Sequence, residues 1–133
     1  PFVAHPRCMI GTDAIYQIDG KVHPRAYGSA GRWLGPLVRD SKIFTLEEAI
    51  RKMTSLSAET FGLEDRGVLA VGRPADIVVF DEVTINDNAS FSEPIQDCDG
   101  IEHVLVNGVA VVTGATHVEI TEDYPGQRIR YRK

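Results

Sequence analysis

The sequence predicts an α/β fold made of two unlike parts, and three observations carry that reading. A short apolar run at residues 7–11 stands ahead of an irregular loop. Helical spacing and a helix-start signal then dominate up to about residue 62. From residue 63 onward the period changes to β-branched runs joined by an Asn-Gly turn.

Residues 7–11 read Arg-Cys-Met-Ile-Gly, a run whose apolar side chains suit a strand buried on both faces of a parallel sheet. An irregular loop over residues 14–24 follows, with Asp19-Gly20 as its turn signal. Residues 25–39 place Trp33, Leu34, Leu37 and Val38 at helical spacing, and glycines at 28, 31 and 35 predict that this helix is short or broken. Thr45 is an N-cap with Glu48 three residues on, a capping box that opens a helix running to about Leu56 with Leu46, Ala49, Ile50 and Met53 on one face. Residues 57–61 open a further short helix that Gly62 ends. In the second part, residues 76–81 and 102–106 read as strands, Asn107-Gly108 as a hairpin turn and residues 109–112 as the return strand, with Gly114 ending it. Residues 81–100 read as a polar loop broken by Pro94, and residues 128–131 as a last strand. Three or four strands leave open edges, so association of copies through an exposed sheet edge is expected.

Composition narrows the function classes. The chain has 133 residues with 43% hydrophobic and 25% charged, which excludes wholesale disorder. Its net charge of −5 argues against coating a nucleic acid, and no apolar run approaches the roughly 18 residues that span a bilayer, so neither a nucleic acid nor a membrane is expected as a partner. Residues 76–123 carry eleven acids and no Lys or Arg, while residues 124–133 carry four bases and no acid. Cys8 and Cys98 are too far apart for a disulfide framework or a metal knuckle and suit a reducing cytoplasm. The start at Pro1 rather than Met suggests a partial product.

Two places carry chemistry. Asp13 follows the apolar run, where a carboxylate can serve as a general base or a weak metal ligand, or simply cap the next loop. In His23-Pro24-Arg25, the planar guanidinium suits a substrate carboxylate or a neighbouring acid, and His23 is held extended by the following proline. His5, His103 and His117 are scattered, with no His-x-His pair from which to build a zinc site. Residues 97–100 lack the third acid and distal Glu of a calcium loop, and neither a phosphate-binding glycine loop nor a Gly-x-Ser-x-Gly elbow occurs.

Longer stretches carry a resemblance. Residues 67–81, Gly-Val-Leu-Ala-Val-Gly-Arg-Pro-Ala-Asp-Ile-Val-Val-Phe-Asp, resemble the C-terminal signature of the amidohydrolase superfamily, and residues 104–109 resemble the companion hairpin of its small β-domain. Residues 41–63 are similar to the helices that link barrel to β-domain. At the front, Met9-Ile10-Gly11-Thr12-Asp13, His23-Pro24-Arg25-Ala26-Tyr27-Gly28 and Trp33-Leu34-Gly35 resemble the N-acyl-D-amino-acid deacylases, or D-aminoacylases, within that superfamily.

The resemblance implies a fragment of a TIM-barrel amidohydrolase: residues 1–62 as the C-terminal end of the barrel, with its last strand, active-site loop and helices, and residues 63–133 as part of the composite β-sandwich domain. It implies that Asp13 is the general acid and base facing a zinc-bound water, and that Arg25 and His23 bind the substrate, Arg25 through the α-carboxylate of an N-acyl amino acid. The zinc ligands of that family, from earlier barrel strands, have no counterpart here. The expectation is therefore a zinc enzyme as the parent, and a chain that alone neither hydrolyses the small N-acyl substrate nor binds zinc. Alternatives are the C-terminal part of a cyclic-amide hydrolase of dihydroorotase or hydantoinase type, or a non-catalytic β-domain module.

Overall fold

The computed structural model describes residues 2–15, 21–121 and 123–129. A 3-10 turn at Phe2–Ala4 is followed by three helices and a four-stranded sheet. The helices are α1 (Arg25–Arg32), α2 (Leu46–Met53) and α3 (Ser55–Thr60). The strands are β1 (Ile77–Phe80), β2 (Ile101–Val106), β3 (Val109–Thr113) and β4 (Thr116–His117), an antiparallel meander in the order β1-β2-β3-β4.

The first difference from the sequence expectation lies at the front. Residues 8–15 form no strand. A parallel strand exists only through hydrogen bonds to neighbouring strands, and the sheet formed by the described residues is wholly antiparallel. The turn expected at Asp19-Gly20 lies outside the described residues, as does the end of the expected strand at 128–131; residues 128 and 129 are not in a strand.

The second difference is α1, which the glycines neither shorten nor break. It continues without interruption into a π-helical stretch, Trp33–Asp40. Pro36 sits inside that stretch. A proline has no N–H to give and its ring crowds the carbonyl one turn back, so the winding loosens there. The Ser41 N–H accordingly reaches back five residues to the Pro36 carbonyl at 2.9 Å. The glycines serve contact instead. A Cβ at Gly28 would run into the Asp87 carboxylate, one at Gly31 into the Asn86 carbonyl and Cys98 Sγ, and one at Gly35 into the Ile85 carbonyl. Their shared face is the seat of residues 85–87. Arg32 Nε donates to Asp87 Oδ2 at 2.8 Å and Arg39 Nη1 to the Ile85 carbonyl at 2.7 Å, which close the two sides of the seat.

α2 begins where expected. Thr45 Oγ1 accepts from the Glu48 N–H at 3.3 Å, which satisfies one of the orphan donors of the first turn. Glu48 turns its carboxylate onward to Arg51. α2 ends at Met53 and α3 starts at Ser55, each earlier than the sequence spacing predicts. Gly62, at φ 66, ends α3 by a Schellman pattern: its N–H bonds to Glu59 O and that of Leu63 to Ala58 O.

Asn107 and Gly108 both take positive φ, 51 and 84, as the two-residue turn between β2 and β3 requires. Gly114 and Ala115 repeat that geometry, with φ 56 and 58, and lead into β4, which the sequence reading did not contain.

Leu34, Ala49 and Ile85 are buried at the centre, with Val38, Phe44, Leu46, Ile50, Met53, Phe80 and Ile101 packed around them. The helices supply most of that core, but Phe80 and Ile101 come from the sheet and Ile85 from the stretch expected to be a polar loop. Ile85 is fully buried, and such burial contributes on the order of 2 kcal/mol. The sheet thus hangs on the helices through the segment that follows β1.

Candidate active site

The candidate residues Asp13 and Arg25 are twelve apart in the chain, and the fold brings them together. Arg25 is the first residue of α1. Its Nη2 lies 2.8 Å from Asp13 Oδ2, and its Nε donates to the Asp13 main-chain carbonyl at 3.0 Å. One guanidinium therefore grips both the side chain and the backbone of the same residue, using the fork geometry that lysine lacks. Asp13 adopts φ 48, a left-handed conformation that Asp tolerates better than most residues but still at some cost. The pair faces solvent: the side chain of Asp13 is 74% exposed and that of Arg25 40%.

His23 has a local task. Its Nδ1 accepts from the Arg25 N–H at 3.1 Å, which provides a partner for one of the free donors at the start of α1. In the neutral ring this leaves the proton on Nε2. The ring edge meets Phe91, from the segment after β1, with centroids 5.1 Å apart. The three candidate residues thus form one cluster at the N-terminal end of α1.

Sequence reasoning missed a second cluster, behind Asp13. Lys52, on α2, is completely buried. Its Nζ donates to the carbonyls of His5 and of Cys8, the latter at 3.1 Å, and lies 3.6 Å from Glu48 Oε1. Arg51 Nη2 donates to the Pro6 carbonyl at 2.7 Å. The Arg51 hydrogen bonds hold the Glu48 carboxyl below its usual range, and Glu48 in turn raises the Arg51 guanidinium. The one sequence signal for this cluster was the Glu48–Arg51–Lys52 spacing at i, i+3 and i+4.

The zinc implied by the sequence resemblance finds no donor set among the described residues. Among the described residues no group of three or more His, Cys, Asp or Glu side chains is placed to hold a metal ion. Asp13 stands beside a guanidinium, an unfavourable companion for a cation, and the Nδ1 of His23 is taken by a backbone N–H. His117, in β4, pairs with Asp97 at 3.0 Å, and both side chains are exposed. Burial pushes the Cys98 thiol up, which disfavours the thiolate a metal would need. A shallow groove of about 450 Å³ between α2 and residues 67–68, lined by Leu46, Ile50, Arg51 and Val68, includes neither Asp13 nor Arg25. No helix among the described residues is long and apolar enough to cross a membrane.

Comparison with known proteins bears on what this cluster belongs to. Residues 4–112 match the amidohydrolase family. The chain is 52% identical over 107 residues to an N-acyl-D-glutamate deacylase of Alcaligenes xylosoxydans xylosoxydans, covering 80% of this chain and 22% of the relative. It is 47% identical over 103 residues to a D-aminoacylase of the same organism, covering 77% of this chain and 21% of that one. Among solved structures it superposes on the N-acyl-D-glutamate deacylase of Bordetella bronchiseptica, complexed with zinc and a phosphonate mimic of the tetrahedral intermediate, with TM-score 0.84 and 43% identity. That match covers 94% of this chain and 25% of the other. The chain thus spans about a fifth of the length of the curated relatives it matches.

Proposed function

This chain belongs to the amidohydrolase family, and on that premise we propose that it is part of an enzyme that hydrolyses the amide bond of N-acyl-D-amino acids, to which it contributes Asp13 and Arg25. The observation that carries this reading is the direct grip of Arg25 on Asp13, in a chain about half identical to an N-acyl-D-glutamate deacylase.

The roles follow from the chemistry of the two groups. Amide hydrolysis needs a base that takes a proton from the attacking water and an acid that returns one to the departing amine, and one carboxylate can do both in turn. Asp13 is the exposed carboxylate of the cluster. The α-carboxylate of an N-acyl amino acid is a bidentate acceptor, and Arg25 offers it its Nη N–H groups, of which those of Nη2 now meet Asp13. On substrate binding, the substrate carboxylate replaces the Asp13 carboxylate on Nη2, while the Nε bond to the Asp13 carbonyl keeps the loop in place. Asp13 is then released for proton transfer. His23 holds the start of α1, and with it Arg25, in register. The described residues form no zinc site, so the roles assigned are those of this chain's own side chains, and the division into a barrel end at 1–62 and a β-domain part at 63–133 belongs to the same proposal.

The test has two arms. The chain alone, given zinc and N-acetyl-D-glutamate, should release no glutamate; measurable turnover would overturn the partial-site reading. In the longer enzyme that contains this segment, Asp13→Asn should lower kcat by about 100-fold or more with KM little changed, as loss of a general acid–base group does. Arg25→Ala should raise KM about 10- to 100-fold, the loss expected for a charged hydrogen bond of about 1.5–3 kcal/mol. Full activity of the Asp13→Asn enzyme would refute the assignment.

A further inference from the structure

We propose that Lys52, seconded by Arg51, is a positioning residue for Asp13: α2 clamps the chain at residues 5–8 and so sets where the carboxylate at the end of that segment stands. The proposal rests on the reading of Asp13 as the proton-transfer group.

Three observations support it. Lysine is among the residues least often buried, since its amino group must find partners for every donor. Lys52 is nonetheless fully buried, and its partners are main-chain carbonyls of one short segment, His5 O and Cys8 O, with Glu48 as the nearby acid. Arg51, next along α2, takes the Pro6 carbonyl between them. Two adjacent cations on one helix therefore hold three carbonyls within four consecutive residues. This is more than core filling requires, because an apolar side chain of similar length occupies such a site without needing acceptors.

The segment is also locked on itself, with the Cys8 N–H on the His5 carbonyl at 2.9 Å. Residues 9–13 then run from this anchor to the Arg25 grip. Asp13 is thus held at two ends: from in front by Arg25, and from behind by α2 through five residues of chain. With the rear anchor gone, the front grip must by itself hold Asp13 in its left-handed conformation. Lys52 touches neither Asp13 nor Arg25 in any hydrogen bond described above, so its action is through the backbone.

The experiment is NMR on the ¹⁵N-labelled chain, read well below its melting transition. The probe is solvent exchange of the Arg25 Nε–H, which donates to the Asp13 carbonyl. In Lys52→Met, whose side chain fills the same space without donors, this exchange should quicken at least tenfold, and backbone order at residues 9–13 should fall while β2 and β3 keep theirs. A folded Lys52→Met chain with Arg25 Nε–H exchange within twofold of wild type overturns the proposal, whatever its melting temperature. Should Lys52→Met fail to fold, Arg51→Leu carries the test at a partly exposed position: about threefold quicker exchange supports the clamp and unchanged exchange refutes it. Because no turnover is measured, loss of the deacylase assignment in its own assay is distinguishable from failure of the clamp.

Discussion

Gly31→Ala is the sharpest test of how the two parts of the chain are joined. In a helix open to solvent, replacing glycine by alanine stabilises by about 1 kcal/mol, because alanine loses less backbone freedom on folding. At Gly31 the added Cβ would lie 2.6 Å from the Asn86 carbonyl oxygen, 2.8 Å from its carbon and 2.7 Å from Cys98 Sγ. Two of the three are backbone atoms of a segment pinned on both sides by Arg32 and Arg39. They cannot swing aside as the end of a flexible side chain could. Overpacking of this kind costs about 1–3 kcal/mol, and the rigid neighbours place Gly31 in the upper part of that range. Subtracting the helix gain of about 1 kcal/mol leaves a net loss of about 1–2 kcal/mol. Urea denaturation followed by far-UV circular dichroism measures it as a lower midpoint at unchanged slope. A second readout is Cys98, whose partly buried thiol should label faster once Sγ is displaced. A Gly31→Ala chain more stable than wild type would refute the close seat of residues 85–87 on α1.

Two further predictions concern the sheet. Asp81 accepts from the Val83 N–H and the Thr84 hydroxyl, each at 2.9 Å, and the first of these bonds does most to hold its carboxyl below the usual range. A carboxyl whose pKa is depressed on folding contributes stability above its unfolded value and loses it as pH falls through the folded one. The stability gap between wild type and Asp81→Ala should therefore be full at neutral pH and close as the pH falls below the ordinary aspartate range; a gap that stays constant to the lowest pH at which the chain folds contradicts this. Separately, β1 has an unpaired edge among the described residues, with Val78 and Val79 about half exposed. Sedimentation velocity should show concentration-dependent association that Val79→Lys weakens, and a clean monomer at high concentration would count against pairing through that edge.

How much of this was legible in the sequence depends on the range of each interaction. Thr45, Gly62 and Asn107-Gly108 were read correctly because caps and tight turns are decided within a few residues. Gly28, Gly31 and Gly35 were misread because helix propensity scores a glycine by its own backbone, whereas these face a segment fifty or more residues away. β4 was missed because its turn uses Ala115 at positive φ, where an Asn or Gly would have signalled it. Ile85 escaped notice as one of several scattered apolar residues in a largely polar stretch, with no period to mark it as the buried one. At the site, Asp13 and Arg25 were picked out by residue type and by resemblance, but their pairing depends on how the chain between them is routed. For Lys52 the sequence offers only its i, i+4 spacing from Glu48, because its other partners are carbonyls, which every residue possesses.

The shared centre of Leu34, Ile85 and Phe80 has a consequence for recombining this chain with its relatives. A chimera spliced at residue 62 would graft a foreign β-meander onto these helices while replacing the linker that fills the glycine face. The exchange succeeds only if the donor supplies an equally slim strip opposite positions 28, 31 and 35, with a large aliphatic plug at its start.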